Sequence, residues 1–253
     1  MKRTGVWNRL RGAARLALVL VWLLWAAVDY CTLGRRRHEL TVKAAWLSRT
    51  CRNLLRALGV RLVEQGKPSP GAVIVANHMS YIDIMVLSAL SPVVFVAKRE
   101  VRGWPVFGWF AAKAGTRFIN RERRGDVARI GEEMAPVMAA GVGVVLFLEG
   151  TTSDGKTVLP FRASLLAPAI TEGWRLMCAG LVYDVPSGRS VENEVCWWGD
   201  MTLPPHLINL ATLPWIEARV GWGEASVAGS DRKILAEELR SKVVELRERM
   251  CDA

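Results

Sequence analysis

The chain has 253 residues, enough for one sizeable α/β domain or two small ones, and at 51% hydrophobic with eleven tryptophans its apolar content is high for a freely soluble protein. Its five cysteines (Cys31, Cys51, Cys178, Cys196, Cys251) are scattered, with no C-x-x-C pair or Cys/His cluster, which excludes a disulfide framework and a zinc site and suits reduced thiols facing the cytoplasm. The net charge of +10 is concentrated at one end: residues 1–61 hold 13 Lys and Arg against Asp29 and Glu39. These basic residues flank and interleave apolar segments, so an anionic membrane surface is the expected partner, and no nucleic acid.

In chain order, residues 1–15 are basic and residues 16–28, "LALVLVWLLWAAV", are wholly apolar, followed by Asp29 and the run Arg35, Arg36, Arg37. The apolar run is short of the ~20 residues a spanning helix needs, and arginines lie on both sides. A membrane-embedded or re-entrant helix is therefore expected ahead of a full span. Residues 41–59 have helical period, with Ala44, Leu47, Cys51, Leu54, Leu55 and Leu58 on one face and Arg49, Arg52 and Arg56 opposite. Two readings stand for it: an ordinary helix on a core, or the second arm of an interfacial helical hairpin.

From Val60 onward short apolar runs alternate with helical stretches. "VRLVE", "AVIVA", "PVVFVA", "TRFIN", "GVVLFL" and "LMCAGLVY" read as strands; helices are expected near 83–90, 104–113, 125–140, 163–172 and 231–249. This alternation predicts an α/β fold with a mixed, largely parallel sheet flanked by helices. The expected division is a basic, apolar membrane-associating segment over 1–59 and an α/β domain over 60–253.

"VANHMSYIDIM", residues 75–85, places His78 just past the end of a buried strand, where open α/β sheets carry their sites, with Asp83 five residues on. A carboxylate bonded to one ring nitrogen fixes the tautomer and makes the other nitrogen a base for an alcohol. The plain alternative is that Asp83 only caps a helix, and the pair alone decides nothing. In "FINRERR", Arg121, Arg123 and Arg124 follow a strand as an anion site or a solvated cluster. In "VVLFLEGTTSDG" an apolar strand delivers Glu149 and Gly150 to a loop, where a carboxylate can bind substrate hydroxyls and a glycine admits a close ligand. No G-x-S-x-G elbow, P-loop, H-E-x-x-H or G-x-G-x-x-G occurs.

Taken together these blocks resemble the glycerolipid acyltransferase superfamily, lysophosphatidic acid acyltransferase type. "NHMSYIDIM" is similar to its first signature, "GTRFINR" to its second and "FLEGT" to its third, with Lys98, Glu100, Pro105 and Gly108 of "KREVRGWPVFGW" between the first two. The resemblance covers roughly residues 70–170. It implies an acyl-transfer enzyme with His78 as general base, Asp83 as its orienting partner, and Arg121, Glu149, Gly150 and Thr151 holding the acceptor. It further implies an acyl carrier protein or coenzyme A thioester as co-substrate, no metal or bound cofactor, membrane lipids as partners, and the cytoplasmic face of the inner membrane as location.

Two departures bear on the acceptor. Thr152 stands where the family commonly has an arginine, and the late strand "RLMCAGLVYDVP" lacks a clear match to the fourth block. "EGTTSDG" together with "WWGDMTLPPHL" resembles the lyso-ornithine lipid branch, whose acceptor has no glycerol phosphate. Lysophosphatidate and lyso-ornithine lipid both stand as acceptors at this point. The rivals are a non-catalytic membrane-binding module and a thioesterase using the same pair.

Overall fold

The computed structural model describes residues 2–120, 125–225 and 231–252. Seven strands form one sheet in the order β1-β7-β6-β2-β5-β3-β4. They are β1 (Val60–Gln65), β2 (Val73–Ala76), β3 (Val93–Lys98), β4 (Arg117–Ile119), β5 (Gly143–Leu146), β6 (Leu176–Asp184) and β7 (Ile216–Ala225). All neighbours run parallel except β6 and β7, so the sheet is mixed and largely parallel, as expected. The central strands β2 and β5 are buried at every position, which is why their sequences read as unbroken Val/Ile/Leu runs.

Two helical layers cover the sheet. One face carries α1 (Lys2–Thr32), α2 (Leu40–Leu58), α3 (Ile82–Leu90), α4 (Phe107–Lys113) and α8 (Leu203–Ala211); the other carries α5 (Asp126–Ala139), α6 (Ala167–Thr171) and α9 (Arg232–Cys251). A short α7 (Val191–Glu194) precedes α8. The pleat divides each strand between them: Ile74 and Ala76 point to the α2/α3 side, Val73 and Val75 to the α5/α9 side.

The basic N-terminus extends the helix well beyond the apolar run. α1 has 31 residues, roughly 46 Å, and the stretch Gly5–Thr32 is long and apolar enough to cross a membrane. It nevertheless lies along the protein. Arg15 donates to the carbonyls of Leu213 and Pro214 just past α8, and the Trp46 indole of α2 donates to Ala26 O at 3.0 Å. Val21, Leu24, Trp25 and Val28 face outward. α2 buries Trp46, Leu47, Cys51, Leu54, Leu55 and Leu58, forming a layer between α1 and the sheet. Two of its arginines are engaged: Arg49 pairs with Asp29 at 3.0 Å and Arg52 donates to Ala89 O at 3.1 Å. Gly59, at φ 76, ends α2 and turns it directly into β1.

Sequence reading placed no element between residues 184 and 231, yet α7, α8 and β7 lie there. β7 is hard to read because only one of its faces is apolar: Ile216, Ala218, Val220 and Trp222 are buried on the α2 side, while Glu217, Arg219, Gly221 and Gly223 occupy the α9 side. A Cβ at Gly221 would meet Met250 at 3.0 Å, and one at Gly223 would meet Leu246 at 3.2 Å, so these glycines let α9 lie close to the strand.

Candidate active site

β2 ends at Ala76, and Asn77 extends its pairing with a side chain. Its Oδ1 accepts the Leu181 N–H at 2.8 Å and its Nδ2 donates to Leu181 O at 3.1 Å. The next two residues are clamped on every side. His78 O accepts from Ser153 N at 3.0 Å, Met79 O from Trp197 N at 2.8 Å, and the His78 N–H donates to Glu149 Oε1 at 2.6 Å. Such a loop cannot drift, and the imidazole it carries is preorganised.

His78 Nδ1 lies 2.8 Å from Asp83 Oδ2. A carboxylate only accepts, so Nδ1 bears the proton and Nε2 keeps a free lone pair. Asp83 is fully buried, and the same Oδ2 accepts the Met79 and Ser80 amides at 2.6 and 2.9 Å. Its other oxygen, Oδ1, accepts the Tyr183 hydroxyl at 2.6 Å. Burial and then the adjacent Asp83 charge raise Tyr183 well above the ordinary phenol range, so it remains a donor. Asp83 is thus more than a helix cap: it gathers four donors, of which the imidazole is one. Tyr183, on β6, escapes sequence reasoning because a hundred residues separate it from Asp83.

The His78 ring stacks on Phe147, centroids 3.8 Å apart and planes at 11°, and lines a cavity of about 310 Å³. Lys98, Gly150, Thr151, Thr152, Trp197, Trp198 and Gly199 line the same cavity. Of the expected acceptor residues, Gly150 and Thr151 are therefore beside the histidine. Glu149 is not a lining residue. Its side chain is turned inward, with Oε1 on the His78 amide and Oε2 on the Leu159 amide at 2.9 Å. Burial pushes its carboxyl up to about 7, against the pull of those two amides. Arg121, with Arg123 and Arg124, lies outside the described residues.

The Trp197–Trp198 wall is fastened from behind. His206 Nε2 donates to Cys196 O at 2.9 Å, which leaves Nδ1 to accept from the Tyr81 hydroxyl at 3.1 Å. The Trp198 indole donates to Glu192 O at 3.1 Å. Burial lowers the His206 pKa, favouring this neutral tautomer.

A second, almost wholly apolar cavity of about 150 Å³ adjoins the first, sharing Tyr81, Ile84, Phe95, Ala97, Val101 and Trp104. It runs on between α2, α3 and α4 past Leu47, Cys51, Leu54, Met85 and Phe110, with Leu23 of α1 at its rim. Burial raises the Cys51 thiol to about 12, so it is an inert part of this wall. Chemically, the arrangement offers a base in a mixed cavity with an apolar channel beside it.

The family model described as Acyltransferase matches residues 34–186. Among curated relatives, the chain is 39% identical to a lyso-ornithine lipid O-acyltransferase of Brucella abortus, over 92% of this chain and 93% of that one. It is 32% identical to a 1-acyl-sn-glycerol-3-phosphate acyltransferase of Neisseria meningitidis, over 86% of this chain and 84% of that one. Among solved structures, the 1-acyl-sn-glycerophosphate acyltransferase PlsC of Thermotoga maritima superposes with a TM-score of 0.65 at 18% identity, covering 96% of this chain and 98% of that one.

Proposed function

The chain belongs to the acyltransferase family, and we propose that it moves a fatty acyl group from a thioester of acyl carrier protein or coenzyme A to the free hydroxyl of a membrane lysolipid, with lyso-ornithine lipid the favoured acceptor. The observation that carries the reaction is the His78–Asp83 pair at 2.8 Å, opening onto a cavity that shares six wall residues with an apolar channel. The acyl chain lies in that channel, with its thioester carbonyl near His78. Nε2 takes the proton from the acceptor hydroxyl as its oxygen attacks the carbonyl carbon. The tetrahedral intermediate then expels the thiolate, which recovers the proton from the imidazolium. Asp83 stabilises the transient imidazolium, and Tyr183 and two amides hold Asp83 in place. The acyl thioester is a co-substrate, and this sequence of steps calls for no metal or bound cofactor.

Two features favour lyso-ornithine lipid. Lys98 is the only Lys or Arg among the described residues lining the His78 cavity, and Thr152 faces it where a phosphate site would gain from a second cation. The similarity to the Brucella protein also extends over nearly the whole chain. Arg121 remains assigned to the acceptor by its place in the second motif, and Glu149 now acts through the His78 loop. α1 lies flat in one leaflet with its outward apolar residues in hydrocarbon. The basic N-terminus and five free cysteines support the cytoplasmic face of the inner membrane.

The test is an acceptor panel on the purified protein in vesicles, read by lipid mass spectrometry, with free fatty acid measured alongside. Acylated ornithine lipid is the expected product. Efficient use of lysophosphatidate with no use of lyso-ornithine lipid would overturn the acceptor, and release of free acid without transfer would make the protein a thioesterase.

A further inference from the structure

Between β3 and α4 the chain makes a short 3-10 turn, Arg99–Gly103, and then a tight reversal. Gly108 sits directly on the Arg102 carbonyl: a Cβ there would lie 2.3 Å from Arg102 O. That close approach pinches off residues 103–107 and forces them outward. At the tip, Phe107 N donates to Pro105 O at 2.6 Å around Val106, whose φ of 63 and ψ of −61 make a γ-turn of the rare, strained kind. Val106 is the only residue other than glycine with positive φ among the described residues. A β-branched side chain is poorly suited to that backbone.

The turn also exposes apolar surface. Val106 is 52% exposed, and Trp104, Phe107 and Trp109 are exposed with it. Strained backbone that presents large apolar groups to water has no structural benefit, whereas at a bilayer boundary the same groups are placed favourably and indoles are at home. The surroundings agree. Trp109 packs edge-on against the buried Tyr30 of α1 at 5.9 Å, which makes the turn a direct neighbour of the helix whose other face is exposed and apolar. Lys113 lies over both rings, 5.6 Å from Tyr30 and 5.8 Å from Trp109, and adds a cation beside the apolar turn, as a headgroup boundary favours. On its inner side the same turn roofs the apolar channel through Trp104, Val106 and Phe107.

We propose that residues 103–107 form a second membrane contact. They dip into the same leaflet that takes α1, and acyl chains pass from the bilayer into the channel beneath them. The second half of this proposal rests on the reading of the channel as the acyl-chain site. The partner is the hydrocarbon–headgroup boundary of a lipid leaflet.

The test uses the full chain with exposed Cys31 and Cys251 changed to Ser, and single cysteines for a nitrobenzoxadiazole label at Val106→Cys, at Leu24→Cys on the outward face of α1, or at Ser241→Cys on exposed α9. On vesicles of phosphatidylglycerol and phosphatidylcholine, the labels at 106 and 24 should shift to the blue and be quenched by spin-labelled lipid, while the label at 241 does neither. A label at 106 that behaves like the one at 241 while 24 responds would overturn the contact. No response at 24 or 106 would remove membrane docking itself and the proposal with it. For the passage, Val106→Asp should lower transfer from a palmitoyl thioester by roughly 10-fold or more relative to a butyryl thioester, as a charge resists the apolar boundary. Aspartate lacks the β-branch that makes valine a poor fit at positive φ, so the change adds no steric strain to the turn. Equal rate loss on both donors would overturn the passage while leaving acyl transfer intact.

Discussion

The Tyr183 hydroxyl, on β6, donates to Asp83 Oδ1 at 2.6 Å and completes the set of donors around the carboxylate that bonds the His78 imidazole. Tyr183→Phe removes that donor and leaves a fully buried oxygen unpaired. Stability should fall by about 1–3 kcal/mol. The kcat should also fall, by roughly 10-fold, since Asp83 must meet the imidazolium in one fixed orientation. KM for the acceptor should stay near wild type because Tyr183 lines neither cavity. A rise in KM with kcat unchanged would place Tyr183 in substrate binding instead.

Glu149 gives a pH signature. Its folded-state carboxyl titrates at about 7, above the ordinary 4.5. The folded protein therefore holds this proton more tightly than the unfolded chain. The resulting stabilisation is fully present below about 4.5 and is lost as pH rises through about 7. Between pH 5 and pH 8, denaturant unfolding should show wild type losing up to about 3 kcal/mol more than Glu149→Gln, which cannot ionise. Equal slopes for the two proteins would mean that Glu149 is ionised throughout.

Thr152 bears on the acceptor. Thr152→Arg puts a planar cation beside Gly150 and Thr151 in the His78 cavity. Preference should move from lyso-ornithine lipid towards lysophosphatidate by about 1–3 kcal/mol in relative kcat/KM, the range of a charge-assisted hydrogen bond. Competition between the two acceptors in one vesicle population measures the ratio directly; an unchanged ratio would mean the head group does not reach position 152.

Much of this was legible in the residues themselves. β2, β3 and β5 stand out because buried parallel strands need continuous apolar runs, β1 by its apolar alternation, and His78 with Asp83 because a five-residue spacing after a strand end turns the carboxylate back onto the ring. β7 is harder to read because its α9 side carries Glu217, Arg219, Gly221 and Gly223, so no continuous apolar run announces the strand, although Ile216, Ala218, Val220 and Trp222 alternate on the other side. Glu149 was correctly seen at a strand end, but sequence cannot tell whether a side chain there points to substrate or back to the His78 amide; both its oxygens chose amides. Tyr183 and the His206–Tyr81 fastening are long-range contacts with no local pattern. The first helix was underestimated because its basic flanks continue the helix past the apolar run.

The most direct test of the account is the turnover of His78→Ala on vesicle-borne lysolipid at saturating acyl thioester. The variant removes the base and leaves the Glu149 and Ser153 contacts, which are made to the His78 backbone. It should remain folded and vesicle-bound, yet lose transfer by about 10²–10⁴-fold, the usual worth of a general base. A variant that keeps more than half of wild-type turnover would contradict the mechanism.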